Sequence, residues 1–164
     1  MKKVIIIGCP GSGKSTFARK LKEKTGLPLY YIDMIWHNPD KTMITREELA
    51  DKLNEIYQTD EWILDGNYKR TMPDRLKACD TVFLFDLPTE ICLQGAMSRV
   101  GTKREDMPWV EEKLDPEFKE YIENFAAEQI PKIYRLLEEY GRNKEIIVFK
   151  SREEADEYLI SYDC

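Results

Sequence analysis

The chain has 164 residues, 42% hydrophobic and 11% aromatic, enough to build one sizeable core and too short for a second full catalytic domain. Global disorder is excluded by the same composition. Asp and Glu number 31 against 25 Lys and Arg, and the formal charge of -6 opposes broad attraction to nucleic acid or anionic membrane while allowing a local basic site.

Met1 to Lys3 followed by the apolar run Val4 to Ile7 begins like an export signal, but the run ends at Gly8 and charge returns at Lys14. It reads as a first strand, Lys3 to Ile7. Further strands are predicted at Leu29 to Ile32, Trp62 to Leu64, Thr81 to Phe85 and Glu145 to Phe149, most of them continuous apolar runs of the kind covered on both faces. Helices are predicted from Lys14 to about Lys24, closed by Gly26 and Pro28, and from Thr45 to about Gln58, where Thr45-Arg46-Glu47-Glu48 fits a capping box. Leu49, Leu53 and Ile56 share one face of that second helix. A third runs from Glu90 to about Val100. A long amphipathic stretch covers Pro116 to Tyr140, kinked or divided by Pro131 and ended by Gly141. Ser151-Arg152-Glu153-Glu154 is a second capping box that opens a helix through about Ile160. The order βαβαβαβααβα predicts a parallel sheet. No stretch approaches the ~18 apolar residues of a membrane span, and a soluble, cytoplasmic protein is expected. Cys9, Cys79, Cys92 and Cys164 form no C-x-x-C pair and His37 is the single histidine, so a sequence-local zinc or iron-sulfur cage has no support and reduced thiols are expected.

Directly after the first predicted strand stands Gly8-Cys9-Pro10-Gly11-Ser12-Gly13-Lys14-Ser15-Thr16, which meets G-x-x-x-x-G-K-[ST] at every fixed position. In this Walker A phosphate loop the glycines turn backbone amides inward around a phosphate, and the following helix adds its positive end. Lys14 reaches the β and γ phosphates as a point charge, and the Ser15 hydroxyl is placed to ligate magnesium. Gly8, Gly11, Ser12, Gly13 and Thr16 complete the expected nucleotide contacts. Cys9, inside the loop, is expected to have a lowered thiol pKa that makes ATP binding sensitive to alkylation. The loop specifies nucleotide, not reaction.

The third predicted strand runs into Asp65, and an acidic residue at that carboxyl end is well placed to hold magnesium through water. The segment from Trp62 to Thr71 resembles the Asp-Gly-Phe-Pro-Arg-Thr signature of adenylate kinases at Asp65, Gly66, Arg70 and Thr71, and departs from it at Asn67, Tyr68 and Lys69. Phe85-Asp86-Leu87-Pro88 is similar to the Phe-Asp-Val-Pro that ends the fourth strand of that family, and Arg99 follows where an arginine precedes the lid. A closer resemblance, over nearly the full chain, is to the adenylate-kinase-related proteins labelled DNA topology modulation proteins. It rests on Ile6, Gly8, Gly11 to Thr16, Asp33, Trp62 to Tyr68, and Asp106-Met107-Pro108.

The resemblance implies a P-loop NTPase fold of nucleoside monophosphate kinase type, three layers α/β/α around a five-stranded parallel sheet in the order 2-3-1-4-5. It implies ATP- and magnesium-dependent phosphoryl transfer to a nucleotide, nucleoside or other small metabolite. Lys14 would steady the transferring phosphate, Ser15 would hold magnesium directly and Asp65 through water. Arg70 would grip a substrate or transition-state phosphate, and Arg99 would approach the ATP phosphates or stack near the base. An acceptor-site insert at about 33–61 and a short lid at about 101–114 are expected. Gly95 stands where adenylate kinases carry an arginine, with Lys103 or Arg104 as substitutes. Asp33 contacts substrate or magnesium, as in kinases with hydroxyl acceptors, or caps the following turn. Trp36 stacks on a base or sugar or forms pocket wall, and the lone His37 reads as a surface or hydrogen-bonded residue. The alternative is an ATP-binding regulator with slow ATPase activity, linked to DNA topology. The negative charge and the lack of a DNA-reading motif oppose direct nucleic-acid binding.

Overall fold

A computed structural model describes residues 1–162. The fourth thiol, Cys164, lies outside the described residues. The strands β1 (Lys3–Gly8), β2 (Leu29–Tyr31), β3 (Trp62–Asp65), β4 (Thr81–Phe85) and β5 (Glu145–Phe149) form one parallel sheet in the order β2-β3-β1-β4-β5, with helices on both sides. This is the predicted P-loop architecture. The three central strands are buried apart from Lys3, whereas β2 and β5 are edges. Glu145 is exposed, and Ile146 retains 37% of its surface.

The register sets Ile6 beside Asp65 and Gly8 beside Phe85, so the end of β1 and the ends of its two neighbours share one carboxyl edge. Ligands of open parallel sheets collect there. Helix α1 (Lys14–Thr25) is held to this edge through Phe17, whose ring meets Phe83, Phe85 and Phe149 edge-on at 4.9, 5.4 and 5.3 Å. The anchor lies two residues past Ser15. Packing of one aromatic side chain therefore fixes where the phosphate loop meets its helix.

Helix α3 (Arg46–Gln58) starts on the predicted capping box with both halves present, and buries Leu49, Leu53 and Ile56. The long amphipathic stretch is two helices, α6 (Pro116–Glu128) and α7 (Ile130–Tyr140), separated at Gln129. Pro131 sits in the first turn of α7, where its missing N–H would be unpaired in any case. Helix α8 (Arg152–Ser161) has half of its expected box. Ser151 Oγ accepts from Glu154 N–H at 3.1 Å, but the Glu154 carboxylate reaches past Ser151 to the N–H of Lys150. Helix α5 (Thr89–Ser98) ends earlier than predicted, with Arg99 as its C-cap.

Two short helices fall in none of the residue ranges predicted as helical, although the predicted order holds a place for one between β3 and β4. Helix α2 (Ile32–Trp36) begins where the second strand was expected to continue, and places Asp33 in its first turn. Helix α4 (Met72–Ala78) follows a 3-10 turn over Lys69–Thr71 and buries Met72, Arg75 and Leu76. Among the described residues, no helix is long and apolar enough to cross a membrane.

Candidate active site

The phosphate loop leaves β1 at Gly8, whose φ of +138° lies in the region that glycine tolerates; a Cβ added there would stand 2.3 Å from the Phe85 carbonyl oxygen. The side-chain amide of Asn67 clasps this residue. Its Oδ1 accepts from Gly8 N–H at 2.9 Å and its Nδ2 donates to Gly8 C=O at 2.5 Å. The β1–β3 ladder ends as Gly66 N–H meets Ile6 C=O, and Asn67 continues that pairing with its side chain. Asn67→Asp replaces the donor with an acceptor facing the Gly8 carbonyl. A group left unpaired in this way costs about 1–3 kcal/mol. The expected result is a roughly ten- to hundredfold weaker nucleotide complex, read by titration on a protein shown by thermal unfolding to be folded.

Behind the loop, Arg75 is fully buried and donates from Nη1 to Gly66 C=O at 2.6 Å and from Nη2 to Tyr68 C=O at 2.8 Å. It thereby fixes the Asp65-Gly66-Asn67-Tyr68 turn from below. Arg152 does the same for the phosphate loop, donating to Gly11 C=O at 2.8 Å and to Ser12 C=O at 3.3 Å.

Lys14, only 9% exposed, donates from Nζ to Cys9 C=O at 2.9 Å. Ser15 Oγ donates to Asp65 Oδ2 at 2.6 Å and also lies 3.3 Å from Asp106 Oδ2. Asp106 comes from the segment after α5 and is held by Arg104, through Nε to Oδ1 at 3.1 Å and Nη2 to Oδ2 at 3.2 Å. Arg104 also meets Glu111 at 3.4 Å. Burial pushes the Asp65 carboxyl up to about 6 although Lys14 and Ser15 pull it down, and burial lowers the Lys14 ammonium, opposed by Asp65. Asp33 is raised, mainly by its enclosure and then by Asp106, although its side chain keeps 54% of its surface open to the cleft.

A carboxyl that titrates near 6 when folded and near ~3.9 when unfolded stays protonated in the fold while the unfolded chain ionises. Stability is therefore lost as pH rises from about 4 to 6, by roughly 3 kcal/mol at ~1.4 kcal/mol per pKa unit. In magnesium-free buffer Asp65→Asn should unfold at a higher temperature than the parent at pH 7.5, with the difference closing toward pH 4.

Asp65 Oδ1 is buried and without a partner. With Ser15 Oγ it supplies hard oxygen ligands of the kind magnesium takes, and the residues present fit that ion. No group of three or more His, Cys, Asp or Glu among the described residues is arranged to hold a metal. Magnesium commonly needs no such cage, since one or two protein groups and substrate phosphates suffice.

Two cavities, of about 780 and 620 Å³, meet at a common wall of Lys14, Ser15, Arg99, Arg104 and Asp106. Asp33 and Asp65 open only into the larger, while Gly11, Gly13 and Thr16 open only into the smaller. Gly8 and Ser12 line neither. Arg99 faces both, with a buried Nε that has no partner. Arg70 is exposed on the 3-10 turn and faces neither cavity, so the structure does not bring it to the other site residues. Arg104 lines both and Lys103 only the smaller. Trp36 packs on Tyr68 at 4.9 Å outside the cavity, whereas His37 is on its wall, edge-on to Trp109 at 5.1 Å.

Cys9 corrects an expectation. Its side chain is 3% exposed, and hydrogen bonding to Cys92, then burial, raises its pKa instead of lowering it. A covered, protonated thiol is a poor target for alkylation. The residues that brace the candidate site without having been singled out for it in the sequence are Asn67, Arg75, Arg104 with Asp106 as a pair, and Arg152. Asn67 and Asp106 stood within motifs but without a role, and Arg152 stood inside a capping box. No local signal marked Arg75.

No family model matches the chain. Over 88 residues it is 32% identical to the adenylate kinases of Thermotoga neapolitana, Thermotoga petrophila and Thermotoga maritima, a stretch that makes up 52% of this chain. The match spans 39% of the length of those relatives. The fold and this partial match together relate the chain, at low identity, to the adenylate kinases.

Proposed function

We propose that this protein is an ATP- and magnesium-dependent kinase that transfers the γ-phosphoryl group to a small acceptor. The observation that supports this reading is the meeting of two cavities at one wall of Lys14, Ser15, Arg99 and Arg104. A phosphoryl group passing from one side to the other must cross that wall. Phosphoryl transfer needs positioning and charge neutralisation more than covalent chemistry, and three cations at the crossing supply both.

ATP enters the smaller cavity with its phosphates along the loop amides of Gly11 to Thr16. Lys14 follows the γ-phosphate, and Arg99 takes the phosphate oxygens with its unpaired guanidinium edge. Arg104 leaves Asp106 to do the same. The phosphate grip expected of Arg70 is thus assigned to Arg99 and Arg104, which face the crossing. Ser15 and Asp65 would hold magnesium, which would supply charge neutralisation at the transferring phosphate. The segment at 101–114, closed at its base by Gly101 N–H to Glu111 C=O at 2.6 Å, covers both cavities and limits water at the transfer point.

The test incubates the purified chain with magnesium ATP and a panel of nucleotides, nucleosides and small metabolites, and seeks by mass spectrometry a compound that gains a phosphoryl group. Slow ADP release with no phosphorylated product would replace this reading with the regulatory one.

A further inference from the structure

We infer that the acceptor is an uncharged, flat-ringed hydroxyl compound of nucleoside type and not a nucleoside monophosphate, with Asp33 receiving the hydroxyl proton. This rests on the kinase reading above. Three observations carry it: the charge of the two cavities, the aromatic wall of the larger one, and the place of Asp33.

Beyond the shared wall, the smaller cavity holds Arg19, Lys20, Lys103 and Arg152 against Glu105 and Asp156. The larger holds Lys41 and Lys113 against Asp33, Glu112 and Asp115, with Glu111 paired to Arg104 and Asp65 assigned to magnesium. The first environment suits a polyphosphate. The second repels one, because a phosphate brought into it gains two lysines and meets an excess of fixed negative charge. Lys41 is also turned toward the Trp109 ring, 6.0 Å from its centroid. The shared cations do not redress this. Lys14, Arg99 and, once released from Asp106, Arg104 face the phosphates of ATP.

The larger cavity is lined by Tyr31, His37, Tyr68, Trp109, Phe118 and Tyr121. Such a wall binds flat rings by stacking and apolar contact without needing charge. His37 and Trp109, edge to face, come from the segments at 33–61 and 101–114 and hold one corner of it. Asp33 opens into the same space from the first turn of α2, with His37 Nε2 as its nearest basic group at 3.9 Å. Among the described residues no Lys or Arg pairs with Asp33, so its carboxylate is available to accept from a substrate hydroxyl.

The step balances. The acceptor oxygen forms a bond to the γ phosphorus while its proton passes to Asp33, and the bond from that phosphorus to the β–γ bridging oxygen breaks. ADP leaves with the electron pair, the acceptor keeps the phosphate as an ester, and Asp33 returns its proton to solvent.

The experiment gives the full chain magnesium ATP with matched pairs, each nucleoside beside its own 5′-monophosphate, and a third arm of ringless polyols. At least one nucleoside should gain a phosphoryl group about a hundredfold faster than its monophosphate does, the size expected for a proton acceptor serving only the hydroxyl. A monophosphate that reacts faster than its nucleoside overturns this inference and leaves the kinase reading standing. Product from the polyols alone overturns the ring assignment. No product in any arm, with ATP binding verified, overturns this inference, and the kinase reading is then decided by the wider metabolite panel. Asp33→Asn should lower kcat about a hundredfold with the acceptor KM and ATP affinity little changed. An unchanged kcat removes Asp33 from the reaction.

Discussion

Lys14→Ala is expected to lower phosphoryl transfer at least ~1,000-fold, the range seen when a cation or preorganised hydrogen-bond donor at the transferring group is removed. The Lys14 ammonium is the most enclosed cation at the crossing between the two cavities, and it is held toward the loop by the Cys9 carbonyl. Water cannot replace it at full strength in so covered a position. Stability should change far less than rate, because two effects oppose each other. Loss of the buried ammonium removes a desolvation cost, which is the main cause of its lowered pKa, while Asp65 loses the charge that best offsets its own burial. Single-turnover kinetics beside a thermal unfolding scan separates the two readouts. Activity within tenfold of the parent would remove Lys14 from the transfer step.

Gly95→Ala is expected to destabilise the protein by about 2 kcal/mol, against the usual rule for a helix interior, where the same change gains ~1 kcal/mol. The sign reverses because α5 packs directly on the phosphate loop. A Cβ at Gly95 would stand 2.0 Å from Gly11 O and 2.7 Å from Arg152 Nη2, and overpacking of this kind costs typically about 1–3 kcal/mol, sometimes more. Gly11 shows the reciprocal contact, with its own added Cβ 2.0 Å from Cys92 O. The clash moves the loop, so ATP affinity should fall together with the unfolding midpoint. Adding Arg152→Ala to Gly95→Ala should not restore either, since the closer obstruction is backbone. A variant as stable as the parent would show that this contact is loose. The same geometry explains why an arginine has no room at position 95, and why Arg104 and Arg152 supply positive charge from other segments.

Much of this architecture was legible from local pattern. Apolar runs marked all five strands, and the capping box at Thr45 marked the start of α3 to the residue. The phosphate loop was legible because its geometry is carried by consecutive residues. Helices α2 and α4 were not, since five and seven residues span under two turns and leave little periodicity to detect. Arg70 matched a signature by position, yet its side chain is exposed and lines neither cavity.

By itself the sequence determined a parallel α/β sheet, the phosphate loop at its carboxyl edge, and Lys14, Ser15 and Asp65 as the residues beside it. Each of these follows from neighbours in the chain. Tertiary structure alone decided that Asp106 reaches Ser15 across 91 residues and Arg152 reaches Gly11 across 141. It also decided that the basic residues divide unequally between two cavities in a chain whose overall charge is negative. Those pairings arise where separate elements pack, and spacing along a chain carries no record of which side chains face each other across a cleft.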